Sequence, residues 1–289
     1  MRRLLAALLC AVGLAAPAAA QFSLTECFRA ETIRNDRGET LPVRVWRKYD
    51  KADLPVPVVV MLHGSGQCGT DNSSQLGAFG TLHHEILTDT DLPPALWALP
   101  QCSQLSPWVR TIAFEETYRQ PRYPAPALRL VKEWLDDLVK QGIADPERIY
   151  IGGYSLGGFG TWDAIQRWPN YFAGALPICG GGSVQEGPVR NAATTSIWVF
   201  HGAADGAVPV ACSRRLVAAL TKAGVTPLYT EFPGAGHEVW GRVFADSAVW
   251  RWLFRQRRGE PMANGSGDSD GGGAMDAFLR QLKAYVTPD

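Results

Sequence analysis

Ser155 stands in Gly153-Tyr154-Ser155-Leu156-Gly157-Gly158, a G-x-S-x-G pattern. It follows the apolar run Arg148-Ile149-Tyr150-Ile151-Gly152 and leads into the helix-like stretch Phe159–Trp168. A serine at a sharp strand-to-helix turn is held at strained backbone angles, and glycines on either side let neighbouring chain pass without a Cβ clash. Such a turn lifts the hydroxyl out of a sheet, and the helix N-terminus aims N–H groups at any developing anion. A serine hydroxyl is a poor nucleophile until an imidazole takes its proton, so a base and an orienting acid must come from elsewhere in the chain.

A nucleophile elbow of this kind expects the acid and then the histidine downstream. The five histidines are His63, His83, His84, His201 and His237, and only the last two follow Ser155. His201 ends the apolar run Ile197-Trp198-Val199-Phe200, Asp205 lies in the loop Gly202–Pro209, and His237 closes Pro233-Gly234-Ala235-Gly236. The order Ser155, Asp205, His237 therefore supplies a nucleophile, an acid and a base, each on a loop after an expected strand. His237 would take the Ser155 proton and return it to the leaving group, and Asp205 would fix the His237 tautomer. The N–H of Leu156 is one expected oxyanion donor. The second comes from the loop after Val58-Val59-Val60-Met61-Leu62-His63-Gly64, with Ser65 first and Gly66 or Gln67 as neighbours. His63 reads as a residue that orients this loop rather than as the base. Trp108 and Trp240 fall in loops near these motifs and, with Gln101, are the candidate substrate contacts. No metal site and no organic cofactor is expected.

His63-Gly64-Ser65-Gly66, Pro100-Gln101-Cys102, the elbow, Pro177-Ile178-Cys179-Gly180-Gly181-Gly182, His201-Gly202-x-x-Asp205 and Gly236-His237-x-x-Trp240 occur together. Over about residues 40–256 the chain resembles the α/β-hydrolase esterases grouped as polyhydroxybutyrate depolymerase-like and feruloyl-esterase-like, often labelled predicted peptidases. The resemblance implies a serine carboxylesterase working through an acyl-enzyme, on a small-molecule or polymer-derived ester. Members act on different esters, so acyl and alcohol preferences stay open: hydroxycinnamates, acetylated sugars, hydroxyalkanoate oligomers and short-chain esters all fit. In the usual strand order of that fold the strand ends before Cys68 and Cys102 are neighbours, which makes Cys68–Cys102 the candidate disulfide.

The elements that must position these residues emerge from periodicity. Phe28–Arg34 and Val43–Tyr49 alternate around Asn35-Asp36-Arg37-Gly38, an antiparallel hairpin at a sheet edge. Strands are expected at about 57–62, 96–100, 148–153, 173–178, 196–200 and 228–232, with helices at about 74–88, 125–141, 157–168, 209–223 and 241–256. That alternation predicts an α/β-hydrolase fold, a mostly parallel central sheet with helices on both faces. Residues 103–124, rich in proline and aromatics, are expected to cover part of the cleft.

Met1-Arg2-Arg3, the apolar stretch Leu4–Leu14 and Ala18-Ala19-Ala20 form a signal peptide over residues 1–20, cleaved before Gln21 for a periplasmic or secreted protein. The catalytic domain would span residues 21–258. A Gly/Ser/Asp linker over 259–273 and a short amphipathic helix over 274–289 complete the chain. No stretch reaches membrane-spanning length. Cleavage would remove Arg2 and Arg3, leaving 26 basic against 28 acidic residues, with no basic run for a nucleic acid. Oligomeric state is not legible. Two other function classes are kept: a serine peptidase of the same fold, and a non-catalytic carbohydrate-binding module on a hydrolase scaffold.

Overall fold

Val56–Leu62 is the most continuously apolar strand of the chain, and every residue in it is buried. A strand covered on both faces needs such a run, because parallel sheets carry helices on each side. In the computed structural model, which describes residues 23–110 and 118–260, this strand (β3) sits near the middle of an eight-stranded sheet. The others are β1 (Arg29–Arg34), β2 (Thr40–Lys48), β4 (Ala95–Pro100), β5 (Ala144–Tyr154), β6 (Gly174–Ile178), β7 (Ser196–Gly202) and β8 (Leu228–Phe232). Their order is β1-β2-β4-β3-β5-β6-β7-β8. β1 and β2 form the expected antiparallel hairpin, β2 pairs antiparallel with β4, and β4 through β8 run parallel.

Alternation along β3 divides the core. Val58, Val60 and Leu62 point into one apolar layer with Leu128, Trp162 and Leu216, while Val59 and Met61 point into another with Phe79, Trp97 and Trp250. The helices that cover the sheet are α1 (Leu24–Cys27), α2 (Gly80–Thr88), α3 (Pro126–Lys140), α4 (Leu156–Arg167), α5 (Glu186–Ala192), α6 (Ala211–Lys222), α7 (Trp240–Phe244) and α8 (Ser247–Arg255). On α3 the buried positions Leu128, Val131, Leu135 and Leu138 make one stripe, and Pro126 occupies the first turn where its missing N–H costs nothing.

Three details differ from the periodicity. The single helix expected over 241–256 is two, because Asp246 leaves helical angles and its side chain accepts the Ala248 N–H at 2.9 Å to start α8. The stretch 74–88 begins as a 3-10 turn at Ser74–Ala78 before α2. The seven-residue α5 was not expected, and a helix that short has too few turns to show a period.

The chain leaves β3 for β4 on one side and then returns to place β5 on the other. Where strand order reverses in this way, the loops at the carboxyl ends diverge and open a crevice. The segments after β3 and after β5 are those carrying Ser65 and Ser155. Among the described residues no helix is long and apolar enough to cross a membrane. The expected signal peptide, residues 111–117 of the cleft segment, nearly all of the linker and the terminal helix lie outside the described residues. The later part of the cleft segment is tied to α4: Tyr118 donates its hydroxyl to Asp163 at 2.8 Å, and Arg167 donates to the Pro121 carbonyl at 2.6 Å.

Candidate active site

β5 ends at Tyr154 and α4 begins at Leu156, leaving Ser155 alone to make the turn at φ 55° and ψ −120°. A non-glycine residue adopts those angles only when its surroundings hold it there. The Ser155 N–H donates to the Ile178 carbonyl at 2.9 Å, and the Ser155 carbonyl accepts the Phe159 N–H at 3.0 Å, so both backbone groups of the turn residue are fastened. A Cβ on Gly157 would lie 2.1 Å from the Leu62 carbonyl oxygen. Only glycine therefore lets the end of β3 press against the first turn of α4, which brings the Ser65 loop up to the elbow.

Asp205 and His237 come from the loops after β7 and β8. Those loops touch at Gly202, where a Cβ would lie 2.0 Å from the Gly236 carbonyl oxygen. His237 Nδ1 and Asp205 Oδ2 are 2.7 Å apart, and the other carboxylate oxygen accepts the N–H groups of Ala207 at 2.8 Å and Val208 at 2.9 Å. The Asp205 side chain is fully enclosed, whereas that of His237 is 22% exposed. Burial alone would raise the Asp205 carboxyl, but the hydrogen bonds from His237 and the two backbone N–H groups outweigh it and hold the carboxyl below its ordinary value. His201 reaches the same carboxylate oxygen at 3.3 Å. Its Nδ1 meets Ser213 Oγ at 2.7 Å and its Nε2 meets the Val208 carbonyl at 3.0 Å, and burial pushes its pKa down. With both nitrogens committed inside the protein, His201 buttresses the acid loop.

The start of the loop after β3 is held by neutral groups. His63 donates from Nδ1 to the Gly64 carbonyl at 2.7 Å and accepts the Cys102 N–H at Nε2, 3.1 Å away. Burial pushes its pKa down to about 4, which keeps the ring uncharged and able to accept. Ser65–Gln67 forms a 3-10 turn in which the Gln67 N–H donates to the Gly64 carbonyl at 3.2 Å. That bond spends the Gln67 N–H and leaves Ser65 and Gly66 as the candidate donors opposite Leu156.

Two of the three expected substrate contacts are corrected. Trp108 is fully buried, and its indole N–H donates to the His63 carbonyl at 3.1 Å. Gln101 is also fully buried, accepting the Asn72 N–H at 2.7 Å and donating to the Gln67 carbonyl at 3.1 Å and to Asp71 at 2.8 Å. Both spend their polar groups on the loop and brace it from behind. Trp240 remains at the cleft, stacked on Tyr154 at 4.5 Å and edge-on to His237 at 5.6 Å. The Cys68 and Cys102 sulfurs are 3.7 Å apart as thiols. Cys102 with His63 and Cys68, and Cys179 with His201 and Asp205, are clusters of metal-ligand type, but both imidazoles have each nitrogen in a protein hydrogen bond. A half-open cavity of about 490 Å³ lies over the β1–β2 hairpin, lined in part by Thr40, Thr70 and Ser103, and none of the candidate triad borders it.

Cys179 joins two of the segments around the site. It sits at φ 46°, and its thiol donates to the His237 carbonyl at 3.3 Å, tying the end of β6 to the histidine loop. Burial pushes that thiol up to about 12, so it stays a neutral donor. The repeated glycines after it were a signal that chain passes close there, though not that sulfur would do the fastening.

Residues 49–249 match the phospholipase/carboxylesterase family. A solved thermostable esterase superposes with a TM-score of 0.69 at 33% sequence identity, covering 81% of this chain and 64% of its own, so this chain spans a little under two thirds of that esterase. A probable carboxylesterase of Oryza sativa subsp. japonica is 26% identical over 191 residues, 62% of this chain and 80% of that protein. An uncharacterized secreted protein of Arthroderma benhamiae is 26% identical over 229 residues, 66% of this chain and 22% of its own length. The elbow at a strand-order reversal, the family match and the esterase likeness agree: the chain belongs to the phospholipase/carboxylesterase family of α/β-hydrolases.

Proposed function

We propose that the protein is an exported serine carboxylesterase, with Ser155 as nucleophile, His237 as general base and acid, and Asp205 as the orienting carboxylate. The observation that carries this reading is the 2.7 Å contact between the enclosed Asp205 carboxylate and a His237 ring left partly open to the cleft. With Nδ1 turned to Asp205, Nε2 is the nitrogen that faces the reaction. Ser155 Oγ adds to the ester carbonyl while His237 takes its proton, and the N–H groups of Leu156 and Ser65 receive the oxyanion. Collapse of that intermediate expels the alcohol with the proton from His237, and water then repeats the sequence on the acyl-enzyme. Export rests on the basic-apolar-small pattern of residues 1–20 and on the relative named as secreted.

Turnover of p-nitrophenyl esters and of aminoacyl p-nitroanilides, with the acyl chain varied, tests the proposal. Esters should be cleaved, and the nitroanilides should be slower by orders of magnitude. Comparable nitroanilide rates would make the protein a peptidase, and no turnover by pure, folded protein would leave a binding scaffold.

A further inference from the structure

Tyr154 is the residue before the candidate nucleophile and is only 2% exposed. Its ring packs edge-on against Phe79 at 5.9 Å and stacks on Trp240 at 4.5 Å, and Trp240 in turn meets His237 edge-on. A phenylalanine would supply those ring contacts. The hydroxyl runs the other way and donates to Gln67 Oε1 at 2.8 Å. Burying a hydroxyl costs free energy unless it is hydrogen-bonded, and here its partner belongs to a half-exposed turn of the cleft. That turn is the one holding the candidate second oxyanion donor. Gln67 ends it, with its own carbonyl accepting Gln101 Nε2 at 3.1 Å.

We propose that Tyr154 is a positioning residue: through Gln67, its hydroxyl sets the Ser65–Gln67 turn against the Ser155 elbow so that the two oxyanion donors converge. The inference rests on the serine-esterase reading above. Elbow and turn lie 87 residues apart in sequence, and this side chain spans them directly. Burial pushes the phenol's pKa upward, so it remains a neutral donor wherever the enzyme works. An oxyanion develops in the transition state and is absent from the bound ester, so a misplaced donor lowers kcat more than it alters KM.

The test is a double-mutant cycle on the best p-nitrophenyl ester, with Ser155 counted by fluorophosphonate labelling and melting followed for each protein. Tyr154→Phe should lower kcat per labelled site by about 10-fold with KM within about twofold, the scale of one lost hydrogen bond acting on the transition state. Gln67→Ala should cause a similar loss, and the double variant should lose no more than either single one. Unchanged kcat, losses that multiply, or a loss confined to KM would overturn the proposal. Should Tyr154→Phe fold poorly, Gln67→Ala decides, and an unchanged kcat there overturns it. A wild-type protein that fails to label at Ser155 overturns the nucleophile reading itself, and this proposal with it.

Discussion

On the β7–β8 side of the cleft the contacts gather on one charge: the Asp205 carboxylate takes the N–H groups of Ala207 and Val208 and faces both His237 and His201. On the β3–β5 side the contacts nearest the elbow run between neutral groups, His63 to Cys102, Tyr154 to Gln67 and Trp108 to the His63 carbonyl, and the Asp71 carboxylate is reached only behind them through Gln101. The difference matches what each wall must do. On the proposed mechanism the acid–base wall has to stabilise an imidazolium formed in mid-reaction, and a buried carboxylate with a full set of donors is already in place. On that mechanism the opposite wall meets charge only in the transition state, and the groups beside the elbow are neutral. The same contrast separates the histidines. His237 has one nitrogen on Asp205 and a partly exposed ring, whereas His63 and His201 have both nitrogens spent inside the protein.

The sharpest way to break this comparison is to exchange the roles of the histidines. His237→Ala should lower ester turnover by roughly 10³-fold or more. His201→Ala should keep turnover within about 10-fold of wild type and cost about 1–3 kcal/mol of stability, since Ser213 and the Val208 carbonyl lose a buried partner. Steady-state kinetics and denaturant melts on the two variants check both, and the reverse pattern would mean that the base is His201. Asp205→Asn comes next, with a loss on the order of 10²–10⁴-fold in kcat: the Ala207 and Val208 N–H groups hold the amide oxygen, so the amide NH2 faces His237 Nδ1 as a donor and selects the wrong tautomer.

A smaller effect belongs to the neutral wall and appears in stability against pH. His63 has a folded value of about 4, below the ordinary histidine value of 6.5. The unfolded chain therefore binds a proton that the folded one refuses, and stability present above pH 6.5 is lost as pH falls towards 4. The full loss is about 3 kcal/mol. Urea melts at pH 7 and pH 4.5 should show most of it in wild type, and His63→Gln should start lower at pH 7 but fall less. Equal acid sensitivity in the two proteins would remove His63 from the frame.

The last effect sharpens the same wall. Cys68 and Cys102 need only a modest approach to join, with two protons and two electrons passing to a disulfide oxidant. Closing that 34-residue span should add about 3–4 kcal/mol. Thiol titration before and after treatment with oxidised glutathione, with a melt on each sample, measures it. Two thiols still titrating at these positions would show that the pair does not bridge.

Much of this was legible in the chain because local rules and long-range order agree. Apolar runs such as Val56–Leu62 mark buried strands, and the Gly-rich surroundings of Ser155 and His237 mark sharp turns. The order of acid and histidine after the elbow led to Asp205 and His237, which lie 32 positions apart and meet at 2.7 Å. What failed was any judgement between core and pocket. An aromatic such as Trp108 suits both, and its burial depends on how β3, β4 and α4 pack. Gln101 carries no sign of its partners either, since Gln67, Asp71 and Asn72 reach it only through the folded loop. The hydroxyl of Tyr154 was illegible for the same reason, because its meaning lies in a residue far upstream.

Covalent labelling tests the central claim most directly. Wild type and His237→Ala, treated with a fluorophosphonate and followed by intact mass and peptide mapping, should differ in rate and agree in site. Wild type should take one phosphonyl group at Ser155, and His237→Ala should take it at the same serine at least about 10²-fold more slowly, because the base that activates the hydroxyl is gone. A label on another residue, or an equal rate in the two proteins, would contradict Ser155 and His237 as nucleophile and base.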